Sequence, residues 1–259
     1  MVSGPDPDTN LAQAGRLLAE AARAGARLAV LPENVACMTP DLHRLQVIAE
    51  PWGAGPIQEA LANMARRHGL WLVAGTIPLR AEGGLMTNST LVFDAQGQVR
   101  ARYDKIHLFD ADVPGGEAHR ESASFAAGRE VVVLDTPVGR LGLAVCYDLR
   151  FPELFRAMAA QGAELFALPA AFTHATGVAH WDVLLRARAI ENQCYMLASG
   201  QGGQHFEGRR TFGHSQIIDP WGEVLAGHAE GPGLVVASID LQAQHELRER
   251  LPVLRHRVM

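Results

Sequence analysis

A chain of 259 residues is one large domain or two small ones, and its composition, 48% hydrophobic and 20% charged, is that of a core-forming globular protein, which excludes disorder. The formal net charge of −5, with Lys and Arg scattered singly, leaves no electrostatic footprint for nucleic acid. Met1–Asn10 lacks the basic-then-apolar order of a signal peptide and no apolar run is long enough to span a bilayer, so a soluble, cytoplasmic protein with no membrane partner is expected.

In chain order, Leu11, Ala14, Leu17, Leu18 and Ala21 recur at helical spacing between Asn10 and Ala24, and Gly25 stops that helix. Arg27 to Leu31 reads as a buried strand that runs into Pro32-Glu33-Asn34. A second unit repeats the order: a helix from Pro56 to His68, a stop at Gly69, and a strand from Trp71 to Gly75. Ser89 to Phe93 and Val99 to Tyr103 then form two extended runs joined like a hairpin through Asp94-Ala-Gln-Gly97. Glu130 to Leu134 and Leu141 to Cys146 make another extended pair, and Pro152 suits the first turn of a helix continuing to Gln161. Leu165 to Leu168, a helix from Val178 to Asn192 and a strand from Tyr195 to Ser199 continue the alternation. The last third adds strands at His214–Ile218, Glu223–Ala226 and Leu234–Ile239 and a helix from Leu241 to Glu249. No linker or repeat interrupts this pattern, so one layered α/β domain over residues 1–259 is expected, with helices outside the strand layers.

Cys37, Cys146 and Cys194 are odd in number and far apart, which suits reduced thiols better than disulfides. A free Cys is by default a small buried hydrophobe, but Cys146 ends a strand, in Leu141-Gly-Leu-Ala-Val-Cys146, a few residues before a helix. A thiol at such a turn is presented by rigid elements, with backbone N–H groups just beyond it able to face an oxyanion. A thiol of ordinary pKa, near ~8.5, is mostly protonated at neutral pH and needs a base or a cation beside it. Glu33 and Lys105 are such groups, although each taken alone reads as a solvated surface charge.

Together, Val30-Leu-Pro-Glu-Asn34, Arg102-Tyr-Asp-Lys-Ile-His-Leu-Phe109 and the Cys146 segment resemble the three signature regions of the nitrilase superfamily, which carry Glu, Lys and Cys in that order. The likeness runs over almost the whole chain. Asp112-Val-Pro-Gly115, Arg120-Glu-Ser122, Ala179 to Glu191, Phe212-Gly-His-Ser215, Asp219-Pro-Trp-Gly222 and Leu251-Pro-Val253 look like its deaminated glutathione amidase branch. They are less close to the ω-amidases that act on amides of 2-oxo acids such as 2-oxoglutaramate or 2-oxosuccinamate.

The resemblance implies a four-layer αββα sandwich, a homodimer, no metal or organic cofactor, and a small carboxylate-bearing amide substrate cut to acid and ammonia through a thioester. Cys146 would be the nucleophile, Glu33 the base and acid in turn, and Lys105 with the Tyr147 N–H the oxyanion donors. Glu121 matches a second glutamate that positions the lysine; its plainer role is an exposed loop charge. Arg150 stands just after the nucleophile, either to meet a substrate carboxylate or to form a structural pair with Glu153 or another acid. Phe172, Thr173 and His174 fall at a pocket loop, where at least one is expected to touch substrate.

Metal and dinucleotide readings fail on spacing: the eleven His residues form no His-x-x-x-His pair and Gly200-Gln-Gly-Gly203 lacks the setting of a nucleotide fingerprint. Trp181, Leu184, Leu185 and Ala189 read as a core face, with Arg186 and Arg188 flanking it as solvated or ion-paired surface. One element departs from the family pattern. Where relatives open with a short buried strand, this sequence has only Met1-Val-Ser-Gly4, and a missing central strand would leave ladder groups on its neighbours unpaired. A catalytically impaired binding or scaffolding protein of the same fold is therefore the competing reading.

Overall fold

A computed structural model describes residues 1–113 and 118–258. Pro114 and Gly115 of the Asp112-Val-Pro-Gly115 motif lie outside them.

The first sheet holds β1 (Leu28–Val30), β2 (Trp71–Val73), β3 (Ile77–Arg80), β4 (Met86–Phe93) and β5 (Val99–Asp104). β1 and β2 are parallel, β4 runs antiparallel to both β2 and β3, and β5 forms a hairpin with β4. A small hairpin, β6 (Asp110–Asp112) and β7 (Ala118–Arg120), follows. The second sheet is built from β8 (Val133–Thr136), β9 (Gly139–Leu143), β10 (Leu165–Ala170) and β11 (Tyr195–Gly200). A further hairpin, β12 (Gly202–Phe206) and β13 (Arg209–Phe212), precedes β14 (Ser215–Ile218) and β15 (Val224–His228), and the second sheet's order is β15-β14-β11-β10-β9-β8.

The helices are α1 (Pro7–Arg23), α2 (Leu42–Ile48), α3 (Pro56–His68), α4 (Pro152–Ala160), α5 (His174–Asn192) and α6 (Leu241–Arg250). Capping explains their ends. Asp6 accepts from Thr9 N–H at the start of α1, Pro56 and Pro152 occupy first turns, and Gly69 ends α3 in the left-handed region at φ 63°. The apolar stripe Leu11, Ala14 and Leu18 of α1 packs with Leu61 and Ala65 of α3 over Leu72, Leu79 and Phe93. Leu154, Phe155 and Met158 of α4 and Trp181, Leu185 and Ala189 of α5 cover the other sheet. Val73, Val92 and Tyr103 of the first sheet share one core with Leu141, Phe166 and Met196 of the second, so the sheets face each other between two helix layers. That is the expected αββα order.

Several local expectations change. The helix expected from Val178 begins at His174, and α2, β3 and the β12–β13 hairpin had no clear signal. Arg188 is not surface: it is buried, donating to the Leu149 carbonyl at 3.0 Å and pairing with Glu191 at 3.0 Å. Leu234–Ile239 alternates exposed and half-buried residues as a strand would, yet among the described residues it makes no backbone hydrogen bond to another segment. A cavity of about 920 Å³ separates it from β1, walled by 24–32 on one side and 233–241 on the other, with Met1 and Leu18 also bordering it. β1 is correspondingly a sheet edge. Among the described residues no helix is long and apolar enough to cross a membrane.

Candidate active site

Strand ends bring four distant segments together. Glu33 lies just past β1, where Gly75 (φ 64°) permits a close approach: a Cβ there would stand 2.1 Å from the Pro32 carbonyl oxygen. Lys105 follows β5, Glu121 opens a short turn after β7, and Cys146 begins the turn Cys146–Arg150 beyond β9.

Lys105 is the hub. Its buried Nζ donates to Glu33 Oε1 at 3.0 Å and to Glu121 Oε2 and Oε1 at 2.9 and 3.2 Å. Asn88, on β4, bridges the same two carboxylates, donating at 3.0 Å to Glu33 Oε1 and 3.1 Å to Glu121 Oε1. Glu33 Oε2 accepts the Ala171 N–H at 2.8 Å, and Glu121 Oε2 accepts the Phe109 N–H at 2.7 Å. Glu121 is thus a member of the cluster and not an exposed loop charge. Burial alone would pull the Lys105 ammonium down, but Glu121 and Glu33 together outweigh it and hold its pKa well above the ordinary value.

Cys146 sits at φ 47°, a conformation uncommon for a residue with a side chain, and 8% exposed. Burial pushes its thiol well up, the Glu33 carboxylate adds to this through charge and a hydrogen bond, and Lys105 opposes it. Two carboxylates against one ammonium leave no surplus positive charge for a thiolate. Burial and the Glu33 charge therefore favour the neutral thiol at Cys146 over the thiolate, with Lys105 working against them.

The turn that carries Cys146 is tied to the strand that carries Lys105 through Asp148, which is fully buried. Its carboxylate accepts from Tyr103 Oη at 2.6 Å, His107 N at 3.1 Å and Val145 N at 2.8 Å, and lies 2.7 Å from His107 Nδ1. Burial first, and the Asp148 charge next, hold the Tyr103 phenol well above its ordinary value, so it stays a donor. Tyr147 follows Cys146 at the head of the turn, where first-turn N–H groups have no acceptor within the turn itself.

A cavity of about 20 Å³, room for roughly one water, opens on Cys146 between Phe109, Tyr147, Arg150, Phe172 and Thr176. Ala171 and Thr173 complete its lining. The Arg150 guanidinium lies over Phe172 at 5.0 Å and Tyr147 at 5.8 Å, and its NH1 is 3.2 Å from His180 Nδ1. Among the described residues it pairs with no acid, Glu153 included. Thr173 reaches Thr176 at 2.6 Å. His174 does not border the cavity: it is the first residue of α5, and its ring packs edge-on against Phe212 at 5.9 Å. Phe109, Ala171 and Thr176 were not anticipated, and neither was Asn88. Among the described residues no group of three or more His, Cys, Asp or Glu side chains is arranged to hold a metal.

Comparison with known proteins places the chain in a family. A family model described as carbon-nitrogen hydrolase matches residues 3–249. A protein of Yersinia enterocolitica named deaminated glutathione amidase is 44% identical over 99% of this chain and 90% of its own length. The crystal structure of the C. elegans NitFhit protein superposes with a TM-score of 0.90 at 38% identity, covering 100% of this chain and 63% of that one. Nit3 of Saccharomyces cerevisiae, described as a member of branch 10 of the nitrilase superfamily, gives a TM-score of 0.88 at 28% identity, over 99% and 93% of the two chains. The chain belongs to the carbon-nitrogen hydrolase family, within the nitrilase superfamily, and is a hydrolase of amide C–N bonds.

Proposed function

We propose that the protein is a cysteine-dependent amidase of deaminated glutathione, and the observation that carries this is the closed cluster of Cys146, Glu33 and Lys105 at one set of strand ends. The Cys146 sulfur attacks the amide carbon as its proton passes to Glu33, the carboxylate whose charge acts on the thiol. The oxyanion forms between the Lys105 ammonium and the Tyr147 N–H. Glu33 returns the proton to the departing nitrogen, which leaves a thioester. Glu33 then deprotonates a water that attacks the thioester carbonyl, and the acid leaves as the Cys146 sulfur recovers the proton. Glu121 and Asn88 hold Lys105 and Glu33 in register throughout.

The leaving group follows from the substrate. A primary amide such as 2-oxoglutaramate releases ammonia; deaminated glutathione, whose amides are peptide bonds, releases an amine. Both substrates share a 2-oxoglutaryl acyl group, so one acyl pocket serves both and the scissile bond is the amide that this group bears. Arg150 meets the acyl carboxylate there, with Phe172 and Thr173 beside it.

The test is turnover of deaminated glutathione and of 2-oxoglutaramate by the wild type and Cys146→Ala, following amine and ammonia release respectively. Cys146-dependent preference for the first supports this reading. Preference for the second makes the protein an ω-amidase, and inactivity on both favours a binding protein of the same fold. Residues 1–259 are read as one catalytic domain, acting in the cytoplasm as a homodimer. The slot between β1 and Leu234–Ile239 is read as the seat of one further extended, apolar strand, because β1 is a sheet edge and Leu234–Ile239, with strand-like alternation, makes no backbone hydrogen bond to another segment among the described residues.

A further inference from the structure

We infer that Arg209 forms a second anion subsite at the mouth of the same site, one that takes the carboxylate on the leaving-group side of the scissile amide; this rests on the amidase reading above. The β12–β13 hairpin is stitched to the pocket wall by its backbone: Phe212 N–H donates to the Phe172 carbonyl at 2.9 Å, and Thr211 bridges to Thr173. This fixes where Arg209 can point. Its NH2 donates to the Ala171 carbonyl at 3.0 Å, and its NH1 lies 3.4 Å from His119 Nε2. Ala171 lines the Cys146 cavity, and the His119 ring packs at 4.8 Å against Phe109, which lines it too.

A guanidinium has five N–H donors in a planar fork, and the contacts to a carbonyl and an imidazole account for two of them. No acid pairs with Arg209 among the described residues. Its neighbour Arg210 behaves as an ordinary surface cation, exposed and paired with Glu230 at 3.1 Å. A half-buried cation with spare donors and no anion is costly unless something supplies the charge. Arg150 is in the same position at the cavity itself. One cation bordering the cavity and a second in contact with residues around it match an amide that carries a carboxylate on each side of the bond to be cut. Arg150 borders Cys146 and takes the nearer, acyl-side group. Arg209, which lies behind Ala171 and His119, takes the more distant one, on the amine that departs. Deaminated glutathione has both groups, and 2-oxoglutaramate has only the first.

The experiment compares kcat/KM for deaminated glutathione with that for its C-terminal carboxamide, which differs only in lacking the distant charge. A charge-assisted, forked contact predicts a wild-type preference for the acid of about ten- to a hundredfold. That preference should collapse toward one in Arg209→Gln and be kept in part by Arg209→Lys, which retains the charge and loses the fork. The proposal is overturned if the wild type shows no preference. It is also overturned if Arg209→Gln slows both substrates equally with the preference intact, because Arg209 would then only brace Ala171. A wild type inert on deaminated glutathione but active on 2-oxoglutaramate would remove the underlying reading itself.

Discussion

Replacing Lys105 with Met keeps the stem and removes the ammonium, and the structure says what this leaves behind. Buried Glu33 and half-buried Glu121 would face each other, joined only through Asn88. Breaking a buried pair by removing one partner costs about 3–5 kcal/mol, which for a domain of this size lowers the unfolding midpoint by roughly 6–20 °C at neutral pH. One of the two carboxylates relieves the repulsion by taking up a proton, so its folded pKa rises above its unfolded value. Such a group stabilises the fold most below its unfolded pKa and loses that contribution as pH rises through the folded one, so the Lys105→Met deficit should shrink toward pH 5. In the wild type the raised pKa of Lys105 gives stability that is full below the unfolded value near 10.5 and is lost as pH rises through the folded one. Catalytically, losing one oxyanion donor costs about 3 kcal/mol, or a factor of a hundred to a thousand in kcat. Thermal unfolding at pH 5 and pH 7.5 and steady-state kinetics on deaminated glutathione read both effects. A variant within tenfold of wild-type kcat, or one with an unchanged midpoint at neutral pH, would show that the Lys105 ammonium neither binds the oxyanion nor holds the two carboxylates together.

Three further outcomes follow from named groups. Iodoacetamide should modify Cys146 before Cys37 or Cys194, because Cys146 borders the cavity between Phe109, Tyr147 and Phe172, through which the reagent can reach it; peptide mapping that finds equal labelling contradicts this. His205 is held down to about 4, chiefly by burial, between the Ser3 carbonyl and Thr211 Oγ1. Its unfolded form takes up a proton near pH 6.5 and the folded form does not, so stability should fall as pH drops from about 6.5 to 4 and fall less in His205→Asn, as read by urea midpoints across that range. Joining six alternating apolar and small residues ahead of Met1, which borders the slot beside β1, should raise the unfolding midpoint and slow amide exchange in Leu234–Ile239; no gain in either would count against the strand seat.

The sequence carried the layered alternation well because helix faces and stops are local: Leu11, Ala14 and Leu18 set α1, and Pro56 with Gly69 bounded α3 to the residue. What depends on distant partners was not legible. Leu234–Ile239 has strand periodicity, but a strand also needs a ladder partner, and that lies across a cavity. The β12 run Gly202-Gly-Gln-His-Phe206 shows no apolar alternation, so nothing marked it or Arg209. Glu33 and Lys105 are 72 residues apart and look like surface charges; only their likeness to known signature regions singled them out. Asn88 sits in a strand buried along its whole length, with no alternation to tell a site residue from a core one. The turn at Cys146 could be read from the strand before it and Pro152 after it, while its left-handed backbone could not.

If Cys146 is the nucleophile, it carries the acyl group as a thioester during turnover. Rapid-quench mass spectrometry of the intact protein mixed with deaminated glutathione, followed by peptide mapping, tests it directly. A transient 2-oxoglutaryl adduct is expected on the peptide containing Cys146, absent from Cys146→Ala, which is also inactive. Turnover by Cys146→Ala, or an adduct on Cys37 or Cys194 alone, would contradict it.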